Sequence, residues 1–345
     1  MLEIEEIRKL DKNGMIDITR NMPEHCRDSV LRASRVSIPD TYEDVEKIVC
    51  IGMGACYVAG KLLEGLLLDE ITIPIFVLND YNLPKHVDNK TLAFLLSYSG
   101  NTEETVSSFM DAIKRRCKIV AVSSGGEVEK ICNKYEIPLI KIPEKLTSRG
   151  SIVYLLFSML EVLRKLRITE KIKDMQETIE VLVNLREELD PALPLEKNKA
   201  KMIAKSIHGT IPIVYGSGFL GPVALKWKND FDEMSKNYAF YNVFPEMNHN
   251  DIVPFEFRNE NLSVIFLRYA EEQPEIKKRI DVTKKLISDK VRCVHEVYAV
   301  GKSKLAKMIS TIFIGAHVTI FLGILNGVDP MPVKMVDQLT KLRRA

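Results

Sequence analysis

From Glu43 onward the chain alternates short, nearly unbroken apolar runs with longer stretches whose apolar residues recur at helical spacing. The runs "KIVCIGMG", "IPIFVL", "LAFLLSYSG", "KIVAVSS" and "IPLIKIP" are rich in β-branched and aliphatic residues and read as strands. Strands apolar on both faces, with helices between them, are the pattern of a parallel sheet covered on both sides. Residues 43–165 are therefore expected to form one doubly wound α/β domain, after a helical N-terminal segment over 1–42.

From Arg149 to Lys205 the pattern turns helical and charged, as in "YLLFSMLEVLRKLR" and "DMQETIEVLVNLREELD", with a break at "PALP". Residues 166–200 read as a helical connection. The strand pattern then returns in "TIPIVYGSG", "LSVIFLRYA" and "VRCVHEVYAV", so that 201–345 forms a second domain with a long apolar helix near 304–325 and a last helix after Pro332. The two halves correspond: "KIVCIGMGACYVAGKLL" and "IPIVYGSGFLGPVALKW" each run strand, Gly-x-Gly, helix, and Gly52 and Gly54 reappear as Gly216 and Gly218, 164 positions later. A repeat that long means two domains of one fold rather than an array. Duplicated domains place a site between them.

Composition narrows the classes of ligand. The 345 residues hold 49 Lys and Arg against 47 Asp and Glu, which gives no general field for nucleic acid or an anionic membrane. An anionic ligand must be met locally. Six cysteines (26, 50, 56, 117, 132 and 293) lack C-x-x-C spacing and fit a reduced, cytoplasmic protein. The N-terminus is charged throughout, without the apolar core of a signal peptide. The segment "TIFIGAHVTIFLGILNGV" is interrupted by His317 and Thr319 and reads as a buried helix rather than a membrane span. His25, His86, His208, His295 and His317 show no metal-ligand spacing, so no metal is expected.

The chemistry concentrates where the third strand ends. "SYSGNT" packs hydroxyls, backbone N–H groups and a conformationally free glycine into one turn, with Thr102 as N-cap and Glu103 and Glu104 in the first helical turn. Such a cluster can be an ordinary capped loop. Its position at the end of a central strand, with a second small-residue turn "SSGG" after the next strand, favours an anion such as phosphate. Dinucleotide binding through "GMGACY", with Asp80 on the ribose, fits poorly because Tyr57 stands where the third glycine of that fingerprint belongs.

With these residues in view, "GMGACYVAGKLL", "LLSYSGNTEETV", "VSSGGEVEKIC", "IPLIKIPEKLTSRGS", "FDEMSKN", "FPEMNHNDIV" and "GVDPMPVKMVDQLTKL" resemble tandem sugar isomerase (SIS) proteins, and more narrowly the bifunctional phosphoglucose/phosphomannose isomerases of archaea and some bacteria. The resemblance implies two flavodoxin-like, three-layer αβα domains and interconversion of glucose 6-phosphate with fructose 6-phosphate, with mannose 6-phosphate left open. It implies that Ser97, Ser99 and Thr102, helped by Gly54, hold the phosphate; that Arg149 steadies an enediolate; that Glu233 is the isomerisation base; that His249 opens the sugar ring; and that Lys341 assists. It further implies a homodimer, with the histidine reaching the neighbouring subunit's site, and a place in glycolysis and gluconeogenesis without a cofactor. The chain departs from the family at Cys56, where serine is usual, at Gly150, where alanine is common, and in the residues around Glu233.

The residues alone allow this chemistry without demanding it. Moving a proton between adjacent carbons takes one well-placed base, and a fixed guanidinium can stabilise the enediolate oxygens as charge develops. By default, however, Glu233 belongs to a solvated helix face, Arg149 and Lys341 are surface charges, and "NHND" is a turn capped by Asn248; Glu246 competes with Glu233 as the acid near His249. The alternative function is a non-catalytic sugar-phosphate sensor, although no DNA-binding module is visible, and an aminating synthase would need a glutamine-hydrolysing domain for which the chain has no room.

Overall fold

A computed structural model describes residues 2–344. Helices α1 (Ile4–Leu10), α2 (Met15–Arg20) and α3 (Met22–Ser34) precede a first unit made of β1 (Lys47–Ile51), α4 (Ala55–Leu67), β2 (Ile75–Leu78), β3 (Thr91–Ser97), α5 (Glu103–Lys114), β4 (Lys118–Ser123), α6 (Gly126–Tyr135) and β5 (Leu139–Lys141). Helices α7 (Ile152–Lys165), α8 (Ile172–Glu188) and α9 (Lys199–Ile207) lead to a second unit of β6 (Ile211–Ser217), α10 (Gly221–Asp230), β7 (Phe240–Phe244), β8 (Asn259–Arg268), α11 (Pro274–Ile287) and β9 (Val291–Tyr298). Helices α12 (Lys304–Leu325) and α13 (Lys334–Arg344) follow.

Both sheets are wholly parallel, in the orders β2-β1-β3-β4-β5 and β7-β6-β8-β9. This is the doubly wound α/β fold expected, built twice, with β6 and β8 in the places of β1 and β3. Strand β7, "FYNVF", is an addition to the strands expected from sequence. It is a short edge strand, mostly exposed or half-buried, whose apolar run is broken by Asn242 after two residues.

One face of each sheet turns to a shared core, in which Ile48, Cys50, Leu92 and Phe94 of the first unit lie in one apolar cluster with Val214 and Ile265 of the second and with α4, α7, α10 and α12. The outer faces have cores of their own, around Phe109 and Val128 in one unit and Tyr215 and Phe266 in the other. Helix α12 is long and apolar enough to cross a membrane, but 94% of its most apolar window is buried inside the protein. It packs against α2, α8, α9, α10 and the turn after α10. At Gly323 a side chain would meet the Met234 carbonyl at 2.6 Å, so the glycine lets the helix approach that turn closely. The turn carries Glu233.

Candidate active site

The hydroxyl turn lies on the carboxyl edge of the first sheet, where ligands settle in open α/β folds. All seven residues of β3 are buried, and Ser97, its last, is paired with Ser123 at the end of β4. Ser97 Oγ donates to Thr102 Oγ1 at 3.3 Å, while Ser99 Oγ accepts from the Asn101 N–H at 3.3 Å. Thr102 occupies the N-cap position of α5 with extended backbone, but its side chain makes no capping bond among the described residues. The hydroxyl is therefore turned inward along the turn rather than spent on the helix.

The turn is locked to its neighbour. The Ser124 N–H and Oγ both donate to the Tyr98 carbonyl, the Val128 N–H donates to the Gly100 carbonyl, and Asn101 Oδ1 accepts from the Glu127 N–H at 3.1 Å. Gly100 has φ of 69°, and a Cβ there would collide with the Gly125 carbonyl oxygen, so no other residue allows this contact. The third turn on this edge starts α4 at Gly54, which has φ of 56° and open space where a side chain would be. Cys56, one residue into that helix, is buried, and burial pushes its thiol pKa up to about 11 against the smaller, opposing influence of the nearby Tyr98 backbone and Ser148 side chain. Cys56 thus lies close to both the hydroxyl turn and the loop that carries Arg149.

Arg149 is not the surface charge that a lone arginine would be by default. It is 5% exposed, on a short helical turn (Arg149–Ser151) ahead of α7. Its Nη1 donates to Glu233 Oε2 at 2.9 Å, and its Nη2 donates to the Pro330 carbonyl at 2.9 Å and to that of Met331. Its buried Nε has no partner among the described residues. The pair joins the first unit to the second and also clamps the loop that leads into α13. Glu233 sits on a turn of wider-than-α spacing, Phe231–Ser235, that ends α10, and its side chain remains about a third exposed. Lys236, at φ of 55°, closes this turn by donating to the Glu233 carbonyl, and burial, followed by the nearby Arg149, lowers its ammonium pKa.

Beneath Glu233 lies an ion pair that sequence reading passed over. Lys226 and Asp230, four residues apart on α10, meet at 2.5 Å with side chains 3% and 2% exposed. Burial pushes the Asp230 carboxyl up, against the pull of Lys226. The i, i+4 spacing in "KWKND" was the available signal, but such pairs are ordinarily solvated.

The remaining candidates make no hydrogen bond or ion pair with Arg149 or Glu233 among the described residues. His249 is exposed on the turn Glu246–His249 after edge strand β7 and has no hydrogen bond or ion pair among the described residues. Glu246, the rival acid, accepts from Asn250 Nδ2 at 2.9 Å, and Asn248 donates to Thr283 Oγ1 instead of capping a helix. Lys341 is exposed on α13. That helix reaches the first unit through a residue not foreseen, Arg343, which pairs with Glu103 and Glu104 at the start of α5.

Two parallel sheets with glycine- and hydroxyl-rich turns on their carboxyl edges, joined by a buried arginine and a glutamate, define a tandem SIS-domain protein. Residues 196–342 match the family model of the bacterial phospho-glucose isomerase C-terminal SIS domain. A bifunctional phosphoglucose/phosphomannose isomerase of Caldicellulosiruptor bescii is 38% identical over 94% of this chain and 97% of its own, and one of Thermoplasma volcanium is 35% identical over 86% and 91%. A hypothetical protein of Thermus thermophilus shares the fold at a TM-score of 0.77 and 17% identity, over 99% of this chain and 94% of that one. The chain belongs to the bifunctional phosphoglucose/phosphomannose isomerase family.

Proposed function

We propose that this protein is an aldose–ketose isomerase that interconverts glucose 6-phosphate and mannose 6-phosphate with fructose 6-phosphate through a cis-enediolate. The observation that carries the reading is the Arg149–Glu233 pair, a carboxylate and a guanidinium held 2.9 Å apart across the two units. The carboxylate takes the proton from C1 or C2 and returns it to the other carbon, so Glu233 alone serves both directions. Arg149 offsets the charge that develops on the enediolate oxygens and does so without reorganising, because its other contacts fix it. Ser97, Ser99, Thr102 and the turn at Gly54 hold the phosphate and set the distance from it to the reacting carbons. Internal proton transfer is redox-neutral for the enzyme and calls for no electron carrier.

Ring opening falls to His249, with Lys341 as a second proton donor. His249 is exposed and makes no bond to the pair within one chain, which supports a homodimer in which it serves the neighbouring subunit. Tyr238, Phe240 and Phe257 are strongly exposed around β7, an apolar surface of the kind that subunits cover. The working parts of the chain would be the segments 1–42, 43–165, 166–200 and 201–345, acting in the cytoplasm in glycolysis and gluconeogenesis. Purified protein assayed with glucose 6-phosphate and with mannose 6-phosphate, coupled to fructose 6-phosphate detection, tests the reading. Turnover of both is expected, and phosphate binding without turnover would make the protein a sensor instead.

A further inference from the structure

A cation from the last turn of α13 pairs with the two glutamates that follow the hydroxyl turn. Arg343 Nη2 donates to Tyr81 Oη at 2.7 Å and to Glu103 Oε2 at 2.5 Å, and Nη1 reaches Glu104 Oε1 at 3.4 Å. Glu103 and Glu104 directly follow Thr102, so the guanidinium is bonded to the first helical turn after the hydroxyl turn. The contact is a poor staple for α13. Arg343 is 44% exposed, and pairs open to water to this degree stabilise little. The apolar residues of the helix, Met335, Val336, Leu339 and Leu342, are all exposed, so packing does not hold it there either.

The electrostatics suggest another use. Two glutamates beside the hydroxyl turn oppose the approach of a dianion, and a guanidinium between them offsets that charge. Its planar fork matches phosphate oxygens as well as it matches carboxylates, and a half-exposed arginine can exchange one for the other at small cost. Lys341 does not share this position, because it is two positions from Arg343, roughly 200° around the helix.

We infer that Arg343 is a phosphate ligand held in reserve, resting on Glu103, Glu104 and Tyr81 until a sugar phosphate enters and then transferring to its phosphate oxygens. This rests on the hydroxyl turn being the phosphate seat. The test measures KM for fructose 6-phosphate, the inhibition constant of inorganic phosphate, and the rise in Tm that phosphate produces. Arg343→Ala is expected to raise KM and the inhibition constant roughly tenfold and to shrink the Tm rise, with Arg343→Lys recovering part of the loss. Removing both carboxylates with Glu103→Gln and Glu104→Gln frees the guanidinium and is expected to tighten phosphate. Two results overturn the inference: an Arg343→Ala variant that keeps wild-type affinity for phosphate, or a double glutamine variant that binds it more weakly, as loss of a mere anchor would. Ser97→Ala separates the two levels. If Ser97→Ala binds phosphate as well as wild type, the seat itself is misplaced; if it loses phosphate while Arg343→Ala does not, only the role of Arg343 falls.

Discussion

Arg149 Nη1 and Glu233 Oε2 lie 2.9 Å apart although 84 positions separate them in sequence, and the arginine is buried while the glutamate keeps about a third of its side chain open. Burial on one side and exposure on the other leave the carboxylate accessible and the guanidinium fixed. Glu233→Gln keeps the hydrogen bond to Arg149 but removes the carboxylate proposed as the base. Its kcat is expected to fall by about 10²–10⁴, with a smaller change in KM. Retention of more than a tenth of wild-type kcat would move the base to another acid.

The Lys226–Asp230 pair makes a stability prediction independent of catalysis. Lys226→Met leaves a buried carboxylate without its partner and should cost about 3–5 kcal/mol in denaturant unfolding. Adding Asp230→Leu removes the stranded charge and should recover most of that loss. If the double variant is as unstable as the single one, the pair is not the source of the penalty.

The contact between the two turns on the first sheet depends on Gly100. Gly100→Ala demands a left-handed backbone from alanine and drives its Cβ into the Gly125 carbonyl. A loss of about 2 kcal/mol or more is expected from the backbone and the displaced turn together. Urea unfolding measures it, and a variant within about 0.5 kcal/mol of wild type, the scatter of a surface change, would mean the turns move apart freely.

His317, buried in α12, supplies a pH dependence. Its Nδ1 is bonded to the Phe313 carbonyl, its Nε2 has no partner among the described residues, and burial lowers its pKa to about 4 from the ordinary 6.5. The folded protein thus holds the ring neutral while the unfolded chain protonates it, so stability falls as pH drops from about 6.5 toward 4 and is unaffected above. His317→Leu should flatten that part of the stability profile relative to wild type, by on the order of 3 kcal/mol at pH 4. Parallel profiles for the two proteins would show that His317 is not the titrating group.

The legible part of the site was the part made by consecutive residues. The hydroxyl turn, the helix start at Thr102 and the glycine turn at Gly54 are local features, and each stands at a strand end as its run of residues requires. Thr102 shows the limit even there, since its position could be read but its hydroxyl bonds to Ser97 rather than to the helix. Arg149 gave no sign of burial in its own segment. Lys226, Asp230 and Arg343 looked like the exposed charges that most lysines, aspartates and arginines are.

Hydrophobic periodicity and the repeated Gly-x-Gly turn determined the parallel sheets apart from edge strand β7, their duplication and the edge on which the small-residue turns lie, because these follow from side chains that are neighbours in sequence. Docking of the two sheets through their common core decided the rest. It buried Arg149 against Glu233, sealed Lys226 with Asp230 and carried α13 back to Glu103 and Glu104. Arg149 with Glu233 and Arg343 with Glu103 join distant segments, and the burial of Arg149 and of the Lys226–Asp230 pair comes from surfaces that exist only after the halves have packed, so no local pattern reveals it.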